Sequence, residues 1–242
     1  MPYYASPKND EARLTFVNAA LETSKADRAA SGSAISTETE TALAAFVPQF
    51  KAAYEALSST QTVRSREARQ RREAMAALET TLLDMWEGVR RRARRLGHSV
   101  ELLSYYGLPM DGTNVRPTST EGWIALSGRA IHGDAEAVAA GYPPICNPTA
   151  AELQTAMDTA QTETSEAKQA DRVFDQAQAD LAVLREEANG WIEEVMADLR
   201  YNLRRLDSES QRRIMRTYGV TFSYLEGETV DPDDQDEEMV EG

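Results

Sequence analysis

Residues 174–206 read FDQAQADLAVLREEANGWIEEVMADLRYNLRRL, and this stretch decides the fold class. Phe174, Ala177, Leu181, Leu184, Ala188, Trp191 and Val195 alternate in steps of three and four, which puts them on one helical stripe. Leu199, Leu203 and Leu206 continue it after added four-residue steps, as in a stutter. A stripe this narrow buries a seam against another helix. Towards the N-terminus, Asn147-Pro148 offers a cap followed by a proline at the first helical position. From there to Leu206 only Gly190 could interrupt. Such a helix, about 59 residues at about 1.5 Å each, runs about 88 Å and predicts an elongated molecule.

A second seam supplies the partner. Leu43, Phe46, Phe50, Ala53 and Leu57 repeat the three-four spacing, and so do Met75, Leu78, Leu82, Met85 and Val89. Between them Ser58 to Glu73 is polar and reads as either a loop or a solvated helical stretch; the absence of Gly and Pro favours continuous or nearly continuous helix. The helix should begin near Ser36 or Thr37, with Pro48 either kinking it or marking an early turn, and Gly97 fits its C′ position. Before it, Ser6-Pro7 reads as the start of a first helix carrying Leu14, Val17 and Leu21 to about Ala30, where Ser31-Gly32-Ser33 breaks it.

The section 98–147 is rich in Pro and Gly. Thr118-Ser119-Thr120-Glu121 reads as a capping box for a short helix with Trp123, Ile124 and Leu126, and a second short helix is expected from Asp134 to Ala140. A further short helix spans Ser210 to Thr217, and Val220, Phe222 and Tyr224 then alternate like a strand. That strand is expected to pair with Tyr106 to Met110 rather than with a neighbour's edge. The organisation is thus a helical arm at 6–97, an irregular cap or crossover at 98–147, a second arm at 148–217, a strand-like segment at 218–225 and an acidic, disordered tail at 226–242.

Local matches point to an internal duplication. Ser6-Pro7 resembles Asn147-Pro148, and Glu22-Thr23-Ser24 recurs as Glu163-Thr164-Ser165, both 141 residues on. Ala26-Asp27-Arg28 recurs as Ala170-Asp171-Arg172 at 144. Arg94-Arg95-Leu96 recurs as Arg204-Arg205-Leu206 at 110, and Tyr106-Gly107-Leu108 resembles Tyr218-Gly219-Val220 at 112. This reading needs about 34 extra residues in the first copy, the fall from 144 to 110. It implies two helical arms in a pseudo-twofold relation, each closing in a Tyr-Gly elbow.

Composition narrows the function. The chain has 242 residues and a net charge of −14, and nine of its acids lie in the tail from Glu226 to Gly242. Without those nine the charge falls from −14 to −5. An acidic chain lacks the basic footprint that nucleic acid requires. Nothing approaches the ~20 apolar residues of a membrane span, and the N-terminus has no basic and apolar leader pattern. A single Cys146 excludes a disulfide framework and fits a reducing cytoplasm. Arg outnumbers Lys, 22 to four, which with the abundant Ala points to a GC-rich bacterial genome.

The candidate partner or anion sites are Arg90, Arg91, Arg94 and Arg95 in one copy, and Arg200, Arg204, Arg205, Arg212 and Arg213 in the other. The ordinary reading competes, because basic residues favour helix C-termini and Arg stems cover apolar seams. Asp84, Glu87, Glu193, Glu194 and Asp198 lack the Glu-x-x-His pairing of carboxylate-bridged metal bundles and read as a solvated face. No catalytic residue, cofactor site, metal site or small-molecule substrate is inferred. Leu82, Met85, Trp86, Val89, Leu184, Trp191, Val195 and Leu199 are expected to anchor the seams. The reading is all-α: an elongated antiparallel coiled-coil hairpin or helical bundle with a small irregular cap. The expected role is non-enzymatic, a cytoplasmic scaffold or homo-oligomeric subunit. The alternatives are a helical membrane-active protein, which the polar, Gly-broken cap disfavours, and an anion or nucleic-acid binder using the Arg clusters.

Overall fold

A computed structural model describes residues 3–30, 32–97, 100–111 and 113–224. The acidic tail lies outside them. Among the described residues the fold is all-α: α1 (Asp10–Ala30), α2 (Thr37–Arg95), α3 (Val100–Tyr105), α4 (Thr120–Ala139), α5 (Ala150–Leu203) and α6 (Ser208–Thr217). Two short strands, β1 (Tyr3–Ala5) and β2 (Thr221–Ser223), complete it.

Local caps set the helix starts. The Ser36 hydroxyl accepts from the Thr39 N–H at 3.0 Å and opens α2. Thr149 and Glu152 form a reciprocal capping box at α5: the Glu152 carboxylate accepts from the Thr149 N–H at 2.7 Å, and the Thr149 hydroxyl from the Glu152 N–H at 3.1 Å. Asn147-Pro148 therefore precedes that helix rather than starting it. The predicted Ser6 cap is also displaced: Asn9 accepts from the Ala12 N–H at 2.7 Å, because residues 3–5 are drawn into a strand. That strand is the partner of β2, with Tyr4 opposite Phe222. The expected pairing with Tyr106 to Met110 fails because Tyr106-Gly107-Leu108 turns the chain out of α3.

The two short helices expected around 120–140 are one 20-residue helix. Its N-cap is Ser119, which accepts from the Gly122 N–H at 3.1 Å. Gly133 does not break the helix; it lets α3 approach, since a Cβ there would lie 1.8 Å from the Tyr105 carbonyl oxygen. Ser58 to Glu73 is helical as expected, and Pro48 lies inside α2, not in its first turn.

The chain divides into two compact units. Among the described residues, unit 1 comprises 3–59 and 175–224, and unit 2 lies within 60–174. In unit 1, Leu43, Phe46 and Phe50 of α2 pack with Ala188, Ile192, Val195 and Leu199 of α5, while Phe16, Val17 and Ala20 of α1 close the core. In unit 2, Leu78, Leu82, Met85, Trp86 and Val89 of α2 pack with Leu153 and Ala160 of α5, Trp123 and Ala130 of α4, and Leu102 of α3. The N-terminal half of one long helix thus meets the C-terminal half of the other, the antiparallel pairing that the seams predict. Burying a large apolar side chain contributes about 1.5–3 kcal/mol.

The burial pattern supports the duplication and corrects its register. Leu78, Leu82, Met85, Trp86, Val89 and Ala93 are buried, and so, 110 residues on, are Ala188, Ile192, Val195, Met196, Leu199 and Leu203. Ala20 with Ala130, Ile35 with Ile145, Leu43 with Leu153 and Phe50 with Ala160 keep the same spacing, every one buried. The copies are therefore α1-α2-α3 and α4-α5-α6. The matches at 141 and 144 set α1, or the segment before it, against α5 or the segment before it, which the burial register does not, and no 34-residue insertion is needed. Each unit combines the front of one copy with the back of the other.

The elbows carry the same device. The Leu108 N–H donates to the Leu103 carbonyl at 3.1 Å and the Val220 N–H to the Met215 carbonyl at 3.2 Å, each around a glycine with positive φ, Gly107 at 71° and Gly219 at 85°. The fully buried Tyr106 donates to Asp134 at 2.6 Å and the fully buried Tyr218 to Asp27 at 2.6 Å. The loop after each partner helix is tied to the same pair. The Ile145 N–H donates to Asp134 at 2.9 Å, and the Ala34 N–H to the Tyr218 hydroxyl at 2.9 Å. Burial first, then the acidic neighbour, raises the pKa of both tyrosines.

Candidate functional site

The predicted arginines lie towards the end of α2 (Arg90, Arg91, Arg94, Arg95) in unit 2, and in unit 1 at the end of α5 (Arg200), in the turn after it (Arg204, Arg205) and on α6 (Arg212, Arg213). At α2, Arg90, Arg91 and Arg94 converge on Glu87 at 3.2, 3.3 and 3.5 Å. Arg91 and then Arg90 hold the Glu87 carboxyl below its ordinary value. Arg90 also donates to Asn114 at 2.5 Å, while Arg95 is exposed. Glu87, Arg90, Arg94, Met110 and Asp111 line a cleft of about 340 Å³.

At α5 the equivalent of Glu87 is Ala197, so the second arginine row has no acid at that place. Arg200, Arg204 and Arg205 are exposed, Arg204 lying 3.9 Å over the Tyr201 ring. On α6, Arg213 is exposed and Arg212 is half-buried. Arg200 borders a larger cleft of about 690 Å³ with Tyr4, Ser6, Arg13, Asn189 and Glu193. There Arg13 donates to Asn189 at 2.8 Å, and the Tyr4 hydroxyl is buried, which raises its pKa.

Of the seam anchors, Leu82, Met85, Trp86, Val89, Val195 and Leu199 are buried. Leu184 and Trp191 are half-buried against the unit 1 core, and the register partner of Trp86 is Met196 rather than Trp191. The Trp86 indole donates to the Tyr106 carbonyl at 3.0 Å, joining seam to elbow.

The acids singled out in the sequence serve separately. Asp198 accepts from the Ser36 N–H and the Thr39 hydroxyl, both at 2.8 Å, and pins the start of α2. Glu87 pairs with arginine, and Glu193 borders the larger cleft. Among the described residues a different trio could hold an ion: Glu67 of α2 with Glu163 and Glu166 of α5, whose oxygens lie within 4.8 Å of one another. The sequence reading missed it because Glu67 sits in the charge-mixed stretch where the apolar stripe lapses. Cys146 is exposed and unpaired. No helix among the described residues is long and apolar enough to cross a membrane. No protein-family model, curated protein or solved structure matches the chain.

Proposed function

We propose that the protein is a non-enzymatic helical scaffold or self-assembling subunit of the cytoplasm, whose arginine-rich helix ends receive an acidic segment. The observation that carries this reading is the unequal pair of arginine rows. Glu87 draws in the first row, whereas Arg200, Arg204 and Arg205 stand exposed with Ala197 in that place. The acidic segment with matching chemistry is 226–242 of a second copy, nine acids with no base. Exposed charge contacts of this kind weaken with salt. The exposed, unpaired thiol of Cys146 suits a reducing compartment.

Size-exclusion chromatography with light scattering, in low and high salt, tests this on the full chain, a chain ending at residue 225, and Arg200→Ala with Arg204→Ala. The full chain should be oligomeric in low salt, and salt, truncation or the double substitution should each reduce its mass. A salt-insensitive monomer in every case overturns the reading.

A further inference from the structure

We propose that Glu67, Glu163 and Glu166 bind one hard divalent cation, of the class of Ca²⁺, Mg²⁺ or Mn²⁺, on the paired helices of unit 2. The proposal does not rest on the assembly reading. The three carboxylates each offer an oxygen within 4.8 Å of the others. Oxygens on opposite sides of a calcium ion lie about 4.6–5.2 Å apart, so one ion fits among all three.

A group of acids alone would prove little on a charged helix. Here Glu67 has only 9% of its side chain exposed, and its Oε2 is buried with no hydrogen-bond partner. Glu163 Oε2 and Gln70 Oε1 are also buried and unpartnered. Gln70 stands one turn after Glu67, which puts its amide on the same face of α2. Buried oxygens without donors require an ion or water to satisfy them. Glu67 pairs with Arg66, which reaches only its Oε1, at 2.8 Å, and is itself mostly exposed. Three carboxylates so close repel one another unless a cation lies between them.

The duplication supplies an internal control. At the corresponding positions of unit 1, 110 residues away, stand Ala177, Ala53 and Ala56. The helix pair therefore packs without acids at this level, and the fold does not demand the glutamates. Three carboxylates form an all-oxygen donor set, which selects hard cations over zinc or copper.

The test is isothermal titration of the chelator-stripped full chain with CaCl₂, MgCl₂ and MnCl₂ in turn, beside thermal melts with and without each ion. One saturable ion per chain and a raised melting temperature are expected for at least one of the three. Glu163→Gln with Glu166→Gln should weaken that binding about tenfold or more. The single Glu166→Gln change, at an exposed position, should weaken it in the same direction and keeps the test valid if the double variant fails to fold. Absence of saturable binding to all three ions overturns the proposal. So does binding that survives these substitutions, which would belong to the acidic tail instead.

Discussion

At one point in the shared register, unit 2 carries Trp86 and Trp123, while unit 1 carries Met196 and Arg13. In unit 2 both indoles join the core. In unit 1 the smaller Met196 and the charged Arg13 border the cleft of about 690 Å³. A second contrast lies where the short helix crosses its partner. Unit 2 brings the Tyr105 carbonyl against Gly133, whereas in unit 1 the corresponding Thr23 hydroxyl donates to the Thr217 carbonyl. What the copies share is the set of positions that face inward. The volume and polarity at those positions then decide whether a place becomes packed core, polar cleft or carboxylate cluster.

The largest expected effect is at the indole. Trp86→Ala should cost about 3–5 kcal/mol of unfolding free energy, since it empties a fully packed site and frees the Tyr106 carbonyl. Met196→Ala should cost only about 2 kcal/mol, because the adjoining cleft lets neighbours relax. Urea unfolding of both variants checks this, and equal losses would break the contrast.

The crossing point comes next. Gly133→Ala should cost about 1–3 kcal/mol although alanine favours helices, because its methyl meets backbone. Thr23→Ala should cost about 1 kcal/mol, the value of one hydrogen bond. A neutral Gly133→Ala would show that α3 and α4 can separate freely.

The smallest effect depends on pH. Arg185 makes two hydrogen bonds of 2.7 Å to Asp10 and, with Arg13, holds its carboxyl below the ordinary value. Unit 2 has Thr120 and Met75 at the corresponding places, so this ion pair is peculiar to unit 1. A lowered folded pKa stabilises above the unfolded value of about 3.9 and is lost as pH falls through the folded value. With side chains 17% and 38% exposed, the pair contributes less than about 1 kcal/mol. Asp10→Asn should therefore be slightly less stable at pH 6 and indistinguishable in strong acid. A gap that persists or widens below pH 3 would refute this assignment.

The long seams were legible because their three-four spacing survives in the letters. The true repeat was not, because corresponding positions share burial rather than residue type, as Trp86 and Met196 or Phe50 and Ala160 show. Short copied words such as Glu-Thr-Ser are common in helices of this composition and do not fix the register of a repeat. The β1 partner was hidden because three extended residues leave too little alternation to see. The role of Gly133 in a close approach of backbone shows only once α3 and α4 are placed. The arginine rows were visible, but Glu87 beneath one and Ala197 beneath the other acquire meaning only when the register is known. The carboxylate trio needed two helices brought together from opposite halves of the chain.

Each unit takes its front half from one copy and its back half from the other. A chain ending at Asp111 would therefore hold two incomplete cores, and no amount of local helix propensity could close either. Two such chains could close both by exchanging halves. The arrangement is the one that joining the two subunits of an ancestral homodimer end to end would leave behind. Within one chain the halves are free to differ, and a mutation need not suit both sides of a symmetric pair.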